Sequence, residues 1–212
     1  MRTAILFISM LCFLNCNGQN KNSDGKAAGT TSDYSSIFKI LKDNLIKNVK
    51  RDSPDFEIEN YDTNDYFSLE LRSEGIPYGG SYFSKKKEDQ IFGDLNADGV
   101  DDIVVSVESN SGGNTSYTDY YLFLSNNGKY ELANPDSWDF PNQCDKEGYG
   151  RFVLMEISNG KLIGESQCMT ENDPRCCPSV IYTTVFELDD GYLKWISTDF
   201  KENRTVEYYQ SN

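Results

Sequence analysis

The 212-residue chain contains no histidine. That removes the imidazole base, the Ser-His and Cys-His nucleophile pairs and every histidine-ligated metal. Basic residues are outnumbered, 20 Lys and Arg against 34 Asp and Glu, so the formal net charge is −14. Such a surface repels nucleic acid and anionic lipid headgroups, and excludes nucleic acid as a partner. It suits a basic protein, although acidity alone also serves solubility. The sequence has no phosphate-cradling glycine loop. Its N-terminal apolar run, Ala4–Leu14, holds eleven residues, too short for a spanning helix of about 20. Nothing singles out a pair of carboxylates for glycoside hydrolysis, and the chain reads as a non-enzyme.

What is present centres on Phe92 to Val105, FGDLNADGVDDIVV. Read as an oxygen cage, it places Asp94, Asn96 and Asp98 at positions 1, 3 and 5, Gly99 at 6, Val100 at 7 and Asp102 at 9. Ca²⁺ takes six to eight oxygens, and short side chains at alternate positions can fold onto one point. Gly99 permits the sharp turn, Val100 offers its carbonyl, and Asp101 at position 8 is expected to point outwards. Position 12 is Val105, where an EF-hand has a bidentate Glu, which moves the expected affinity to roughly 10⁻⁴–10⁻³ M. The competing reading is an Asx-rich turn without metal.

The N-terminus carries Arg2, the apolar run and then Phe13-Leu14-Asn15-Cys16. Residues 1–15 are expected to be a signal peptide. The sequence around Cys16 resembles a relaxed bacterial lipobox, with Asn15 where a small residue is usual. That resemblance implies lipidation of Cys16 and a membrane partner reached through an N-terminal lipid anchor. Asn17 after the cysteine implies the outer membrane. The alternatives are a plain secretory signal and, as lipidated residue, Cys12. Residues 16–33 are small and polar and read as a flexible tether. Removing residues 1–15 removes Arg2 and moves the formal charge from −14 to −15.

Residues 34–212 read as one β-rich domain of α+β class: an antiparallel sheet or sandwich with one N-terminal amphipathic helix. Ile37, Phe38, Ile40, Leu41, Leu45, Ile46 and Val49 follow the helical period over Tyr34–Val49, with Ser32 or Asp33 as cap. Beyond Phe56 the chain reads as about ten strands. Hairpins are expected at Asn127-Gly128, Asn159-Gly160 and Asp190-Gly191. Further strands are expected at FEIENY, DYFSLELRS, GSYFSK, QIFGD and DIVVSVES. The aromatic segment SYTDYYLFL is compatible with a sugar-binding face, and more readily with core.

The metal-type loop resembles that of FG-GAP or VCBS-type repeats, D-x-[ND]-x-D-G-x-x-D before a strand, which build β-propellers. Here it occurs once, so the loop carries over and the propeller does not. Cys144, Cys168, Cys176 and Cys177 remain after processing, and an even count in an exported chain implies disulfides. Joining the adjacent Cys176 and Cys177 would strain the geometry, so Cys144 and Cys168 are each expected to take one of them. A zinc site or redox pair is the alternative. The string Asp173-Pro174-Arg175-Cys176-Cys177-Pro178-Ser179, after the metal loop and Gly112-Gly113, resembles the D-P-x-C-C-P-S motif of LppP/LprE-type lipoproteins. That likeness spans about half the chain and implies architecture and compartment, without a reaction. The expected function is a non-enzymatic, calcium-binding, disulfide-bonded lipoprotein of the bacterial cell envelope, acting as a binding or structural module. The alternative is an inhibitor or immunity protein masking a basic cell-wall hydrolase or toxin.

Overall fold

A computed structural model describes residues 31–112, 116–126, 128–138, 140, 144, 150–174, 177–189 and 192–203. The signal peptide, Cys16, most of the tether and Cys176 lie outside the described residues. Helix α1 (Thr31–Asp52) comes first. It starts earlier than the sequence suggested and takes in Ser32 and Asp33, so neither is its cap; an acidic residue suits the positive end of a helix from within the first turn as well. The helix ends where Ser53 N–H bonds to Val49 O at 2.8 Å, just before Pro54.

Among the described residues eleven antiparallel strands form two sheets, and no propeller is built. The first sheet contains β1 (Glu57–Asp62), β2 (Tyr66–Ser73), β3 (Ile76–Ser84), β4 (Ile91–Gly93), β5 (Asp102–Asn110), β6 (Ser116–Asn126) and β7 (Lys129–Leu132). Its order is β1-β2-β3-β5-β6-β7, with β4 also paired to β5. The second sheet is a meander of β8 (Gly150–Ser158), β9 (Lys161–Cys168), β10 (Val180–Asp189) and β11 (Tyr192–Asn203).

Two cores share the first sheet. On one face Ile37, Phe38, Leu41 and Leu45 of α1 meet Phe67, Phe83, Ile103, Val105, Val107, Tyr121 and Phe123. On the other, Val104, Tyr120 and Leu122 meet Phe152, Leu154, Ile157, Leu162 and Phe186 of the second sheet. The alternation along β5 and β6 explains the division, because successive side chains point to opposite faces. It also explains why IVVSV reads as a continuous apolar run: the strand is buried on both sides. Burying a Phe or Leu side chain contributes roughly 1.5–3 kcal/mol, so the apolar stripe is the main hold on α1, and Asn44 and Asn48 add to it by donating to Pro135 O at 2.7 and 2.8 Å. Phe140 stacks on Phe152 at 4.6 Å and meets Phe186 edge-on at 5.3 Å. Across the sheets, Leu154 N–H donates to the Tyr120 hydroxyl at 3.0 Å.

The Asn159-Gly160 hairpin closes with both residues at positive φ (51° and 70°), the twist-matched two-residue turn. A further hairpin turns at Glu74-Gly75, also at positive φ, and extends β3 back to Ile76. Pro77 falls inside this longer strand. It is tolerated because the β2–β3 register shifts beside it, between Leu71 and Arg72, and a proline fits at a bulge. The outer strand β11 carries two register shifts against β10, which blunt its edge against pairing with another chain.

Candidate functional site

The loop at 94–101 is the connection of the β4–β5 hairpin, whose register is Ile91↔Val104, Phe92↔Ile103 and Gly93↔Asp102. Two features fix its base. A Cβ on Gly93 would lie 2.6 Å from Ile157 Cβ and 2.7 Å from Ile157 O, so only glycine lets β4 approach β8 this closely. Leu95 is buried in the second core.

Above that base the short side chains turn onto the loop's own backbone. Asp94 accepts the N–H groups of Asp98 (3.1 Å) and Gly99 (2.9 Å) through its two oxygens. Asn96 Oδ1 accepts Asp98 N–H at 3.0 Å, and Asp98 Oδ1 accepts Val100 N–H at 2.8 Å. Asn96 Nδ2 donates to Asp98 Oδ2 at 3.3 Å. Ala97 and Gly99 take positive φ, 60° and 85°, which closes the turn. Asp101 is exposed, like Asn96 and Asp98 in the same loop.

Asp102 behaves differently from the other three. It is fully buried. Its Oδ2 accepts Leu95 N–H (2.9 Å) and Asn96 N–H (3.3 Å), and its Oδ1 accepts Ser125 N–H (2.8 Å). Burial pushes its carboxyl above the usual aspartate range, against the pull of those three N–H groups, and the Asp98 charge pushes it further. A carboxylate has about four acceptor sites; three are taken here. Asp102 is therefore first a staple joining the loop to β6, a role that spacing alone did not reveal.

The donor chemistry fits a hard cation. Asp94 and Asp98 each keep acceptor capacity beyond two hydrogen bonds, Asn96 Oδ1 keeps a lone pair, and the Val100 carbonyl lies in the same turn. Among the described residues no three carboxylate or thiol side chains are drawn together as a ready-made metal cluster. The inventory is two exposed or half-exposed carboxylates, one amide and one carbonyl, which belongs to a weak site.

The cysteine pairing differs from expectation. Cys144 bonds to Cys168, with Cα atoms 5.4 Å apart. Cys168 ends β9 opposite Gly150 at the start of β8, and Cys144 lies beside that end of the sheet. Cys177 sits exposed in a turn in which its N–H bonds to Pro174 O at 2.9 Å. The D-P-x-C-C-P-S string acquires a physical reading. Asp173 Oδ2 accepts Thr170 N–H (2.7 Å), Ser179 N–H (3.0 Å) and Ser179 Oγ–H (2.8 Å). Partial burial pushes the Asp173 carboxyl up, yet these bonds outweigh it and hold it below the usual range. The first and last residues of the string thus tie the loop shut.

A cleft of about 670 Å³ between the sheets is lined by Glu108, Thr118, Trp138 and Arg151 among others. Of the aromatic segment SYTDYYLFL, Tyr120 and Tyr121 are buried core residues and Tyr117 is exposed. No helix among the described residues is long and apolar enough to cross a membrane. No protein-family model matches the chain, and neither a curated protein nor a solved structure is significantly similar to it.

Proposed function

We propose that the chain is a non-enzymatic binding module of the bacterial cell envelope, an exported lipoprotein braced by a calcium clip at Asp94, Asn96, Asp98 and Val100 and by a disulfide. The observation that carries the clip is the loop itself: three oxygen-bearing side chains folded onto one hairpin turn, on a base fixed by Gly93, Leu95 and Asp102. A base fixed by packing and hydrogen bonds leaves binding little backbone to order. What the cation relieves is the mutual repulsion of Asp94, Asp98, Asp101 and Asp102.

The test is the melting temperature of residues 30–212 in EDTA, in Ca²⁺ and in Mg²⁺. With Kd about 10⁻⁴–10⁻³ M, about 10 mM Ca²⁺ stabilises by roughly 1.4–2.7 kcal/mol. That corresponds to a rise of about 3–10 °C for a chain of this size. Asp98→Ala removes the rise. A calcium response that persists in Asp98→Ala assigns the ion elsewhere, and no response at all leaves the loop as an Asx-rich turn.

A further inference from the structure

The sheet order leaves β1, β7, β8 and β11 outermost, and an outermost strand can take up another chain. These four are not alike. β11 carries two register shifts against β10, β8 carries one against β9, and β7 is only four residues long. β1 runs for six residues in unbroken register with β2, and among the described residues it has no partner on its other side. The orientation of its backbone follows from the hairpin. Thr63 N–H bonds to Tyr66 O at 2.9 Å, and in an antiparallel ladder inward-bonding and outward-facing residues alternate. Glu57, Glu59 and Tyr61 therefore turn their N–H and C=O groups to β2. Ile58, Asn60 and Asp62 turn theirs to the open edge.

The same three residues lie on the α1 side of the sheet. Ile58 and Asn60 pair with Leu71 and Leu69, which pack in the helix-side core, and directly paired residues share a face. Beside them the edge opens into a hollow of about 540 Å³, lined by Ile46 and Lys50 of α1 with Pro54, Phe56, Ile58 and Asn60. Ile46 and Ile58 are only partly buried against the first core, so apolar surface lies next to unpaired backbone. The opposite face of β1 is acidic. Glu57 is exposed, and Glu59 Oε2 lies 3.0 Å from Arg72 Nε. The strand holds three acidic residues and no basic one. Of the three, Asp62 is already met by Lys42 and Lys85.

We infer that the edge of β1 binds an extended basic segment of another protein as an added strand, with apolar side chains on the α1 side and Lys or Arg on the Glu57 side. An added strand sits about 4.8 Å from β1. Main-chain bonds to Ile58 and Asn60 hold it there, and alternate side chains enter the hollow. The residue opposite Ile58 shares its face and meets the apolar lining beside Ile46 and Phe56. Its neighbours on the other face come alongside Glu57 and Glu59, where a cation is favoured. Lys50 in the lining disfavours a cation on the helix side, which decides which of the two rows is basic. The net charge of −14 steers a basic partner towards the chain,. A second copy is a poor occupant, because two β1 strands would set acid beside acid. The inference rests on the reading of the chain as a binding module and gives that module a partner class. It does not require the calcium clip.

The experiment is calorimetric titration of the full chain, purified in detergent, with the end-capped peptide Ac-KVKVKVK-NH2. Ac-EVEVEVE-NH2 reverses its charge, and Ac-KSKSKSK-NH2 removes its apolar row. Two N-methylated versions, at the valines for antiparallel addition and at the lysines for parallel, remove the main-chain donors. The lysine–valine peptide binds. Both comparators and one of the N-methylated versions bind about 10-fold more weakly or worse. Asn60→Pro takes an N–H from the open edge and leaves the β1–β2 pairing intact; it weakens binding by a similar factor. Glu57→Lys, at an exposed position, weakens binding about 3-fold and keeps the parent melting temperature, so the test stands even where the proline variant fails to fold. Absence of binding by Ac-KVKVKVK-NH2 overturns the inference, as does binding that neither N-methylation weakens. Equal binding of Ac-KSKSKSK-NH2 overturns it in favour of charge attraction alone. Dimerisation of the chain that Asn60→Pro abolishes overturns it in favour of a second copy. All titrations are run in EDTA, so the calcium clip plays no part in them, and its failure is read separately in the melting experiment.

Discussion

Replacing Asp102 by alanine separates a staple from a metal ligand. The substitution strips the acceptor from three backbone N–H groups. Leu95 and Ser125 are buried, so their N–H groups find no water, and each orphan costs about 1–3 kcal/mol. Asn96 is exposed, and water replaces its bond. Against this, the variant no longer holds a carboxylate away from solvent, a cost that burial makes plain in the raised Asp102 carboxyl. The balance is a loss of about 3 kcal/mol. Asp102→Asn retains one oxygen but turns an NH₂ group towards the other donors, and loses about half as much. The assay is urea unfolding in EDTA, where no cation contributes. Asp98→Ala, on the exposed side of the same loop, stays within about 1 kcal/mol of the parent under those conditions, yet loses the response to Ca²⁺. The reasoning is refuted if Asp102→Ala unfolds within about 1 kcal/mol of the parent in EDTA, since a buried three-donor staple cannot be removed at so small a cost.

Asp62 receives Lys42 of α1 at 2.8 Å and Lys85 from beyond β3, and these hydrogen bonds, Lys42 first, hold its carboxyl below the usual range. Between the folded value and the ordinary one, near 3.9, the unfolded chain binds more protons, so this contribution is present above that range and lost as pH falls through it. Asp62→Asn therefore lowers stability at pH 7 by up to about 1 kcal/mol after solvent screening and by less as pH falls below the ordinary aspartate range; equal losses at pH 7 and pH 2 would count against the pairing. For the disulfide, with a sequence separation of 24, loop-closure entropy gives about 3.5 kcal/mol. Non-reducing peptide mapping recovers Cys144 linked to Cys168, and a linkage of either to Cys176 or Cys177 contradicts the structure.

Much of the fold was legible because local and tertiary demands agree. The stripe Ile37, Leu41, Leu45 is both a helical period and the face that the sheet buries, and Asn159-Gly160 is both a turn signal and the observed turn. The Glu74-Gly75 turn was missed because Glu is a poor signal for positive φ,. The cysteine pairing was missed because it depends on which sheet end Cys168 occupies, which no spacing encodes. Asp102 was read with Asp94 and Asp98 since alternate spacing treats all three alike; only the closeness of β6 to the start of β5 separates them.

The two-sided burial of β5 also bears on how the molecule comes apart. Ile103, Val105 and Val107 belong to the helix-side core, and Val104 between them belongs to the inter-sheet core. A strand cannot release one set of side chains while keeping its backbone pairing and the other set intact. Fluctuations that lift α1 or peel β11 remain local, because each touches a single core from outside. Any opening that reaches β5 disrupts both at once. The amides of β5 and β6 should thus exchange with solvent only through complete unfolding, and two hydrophobic cores melt as one cooperative unit.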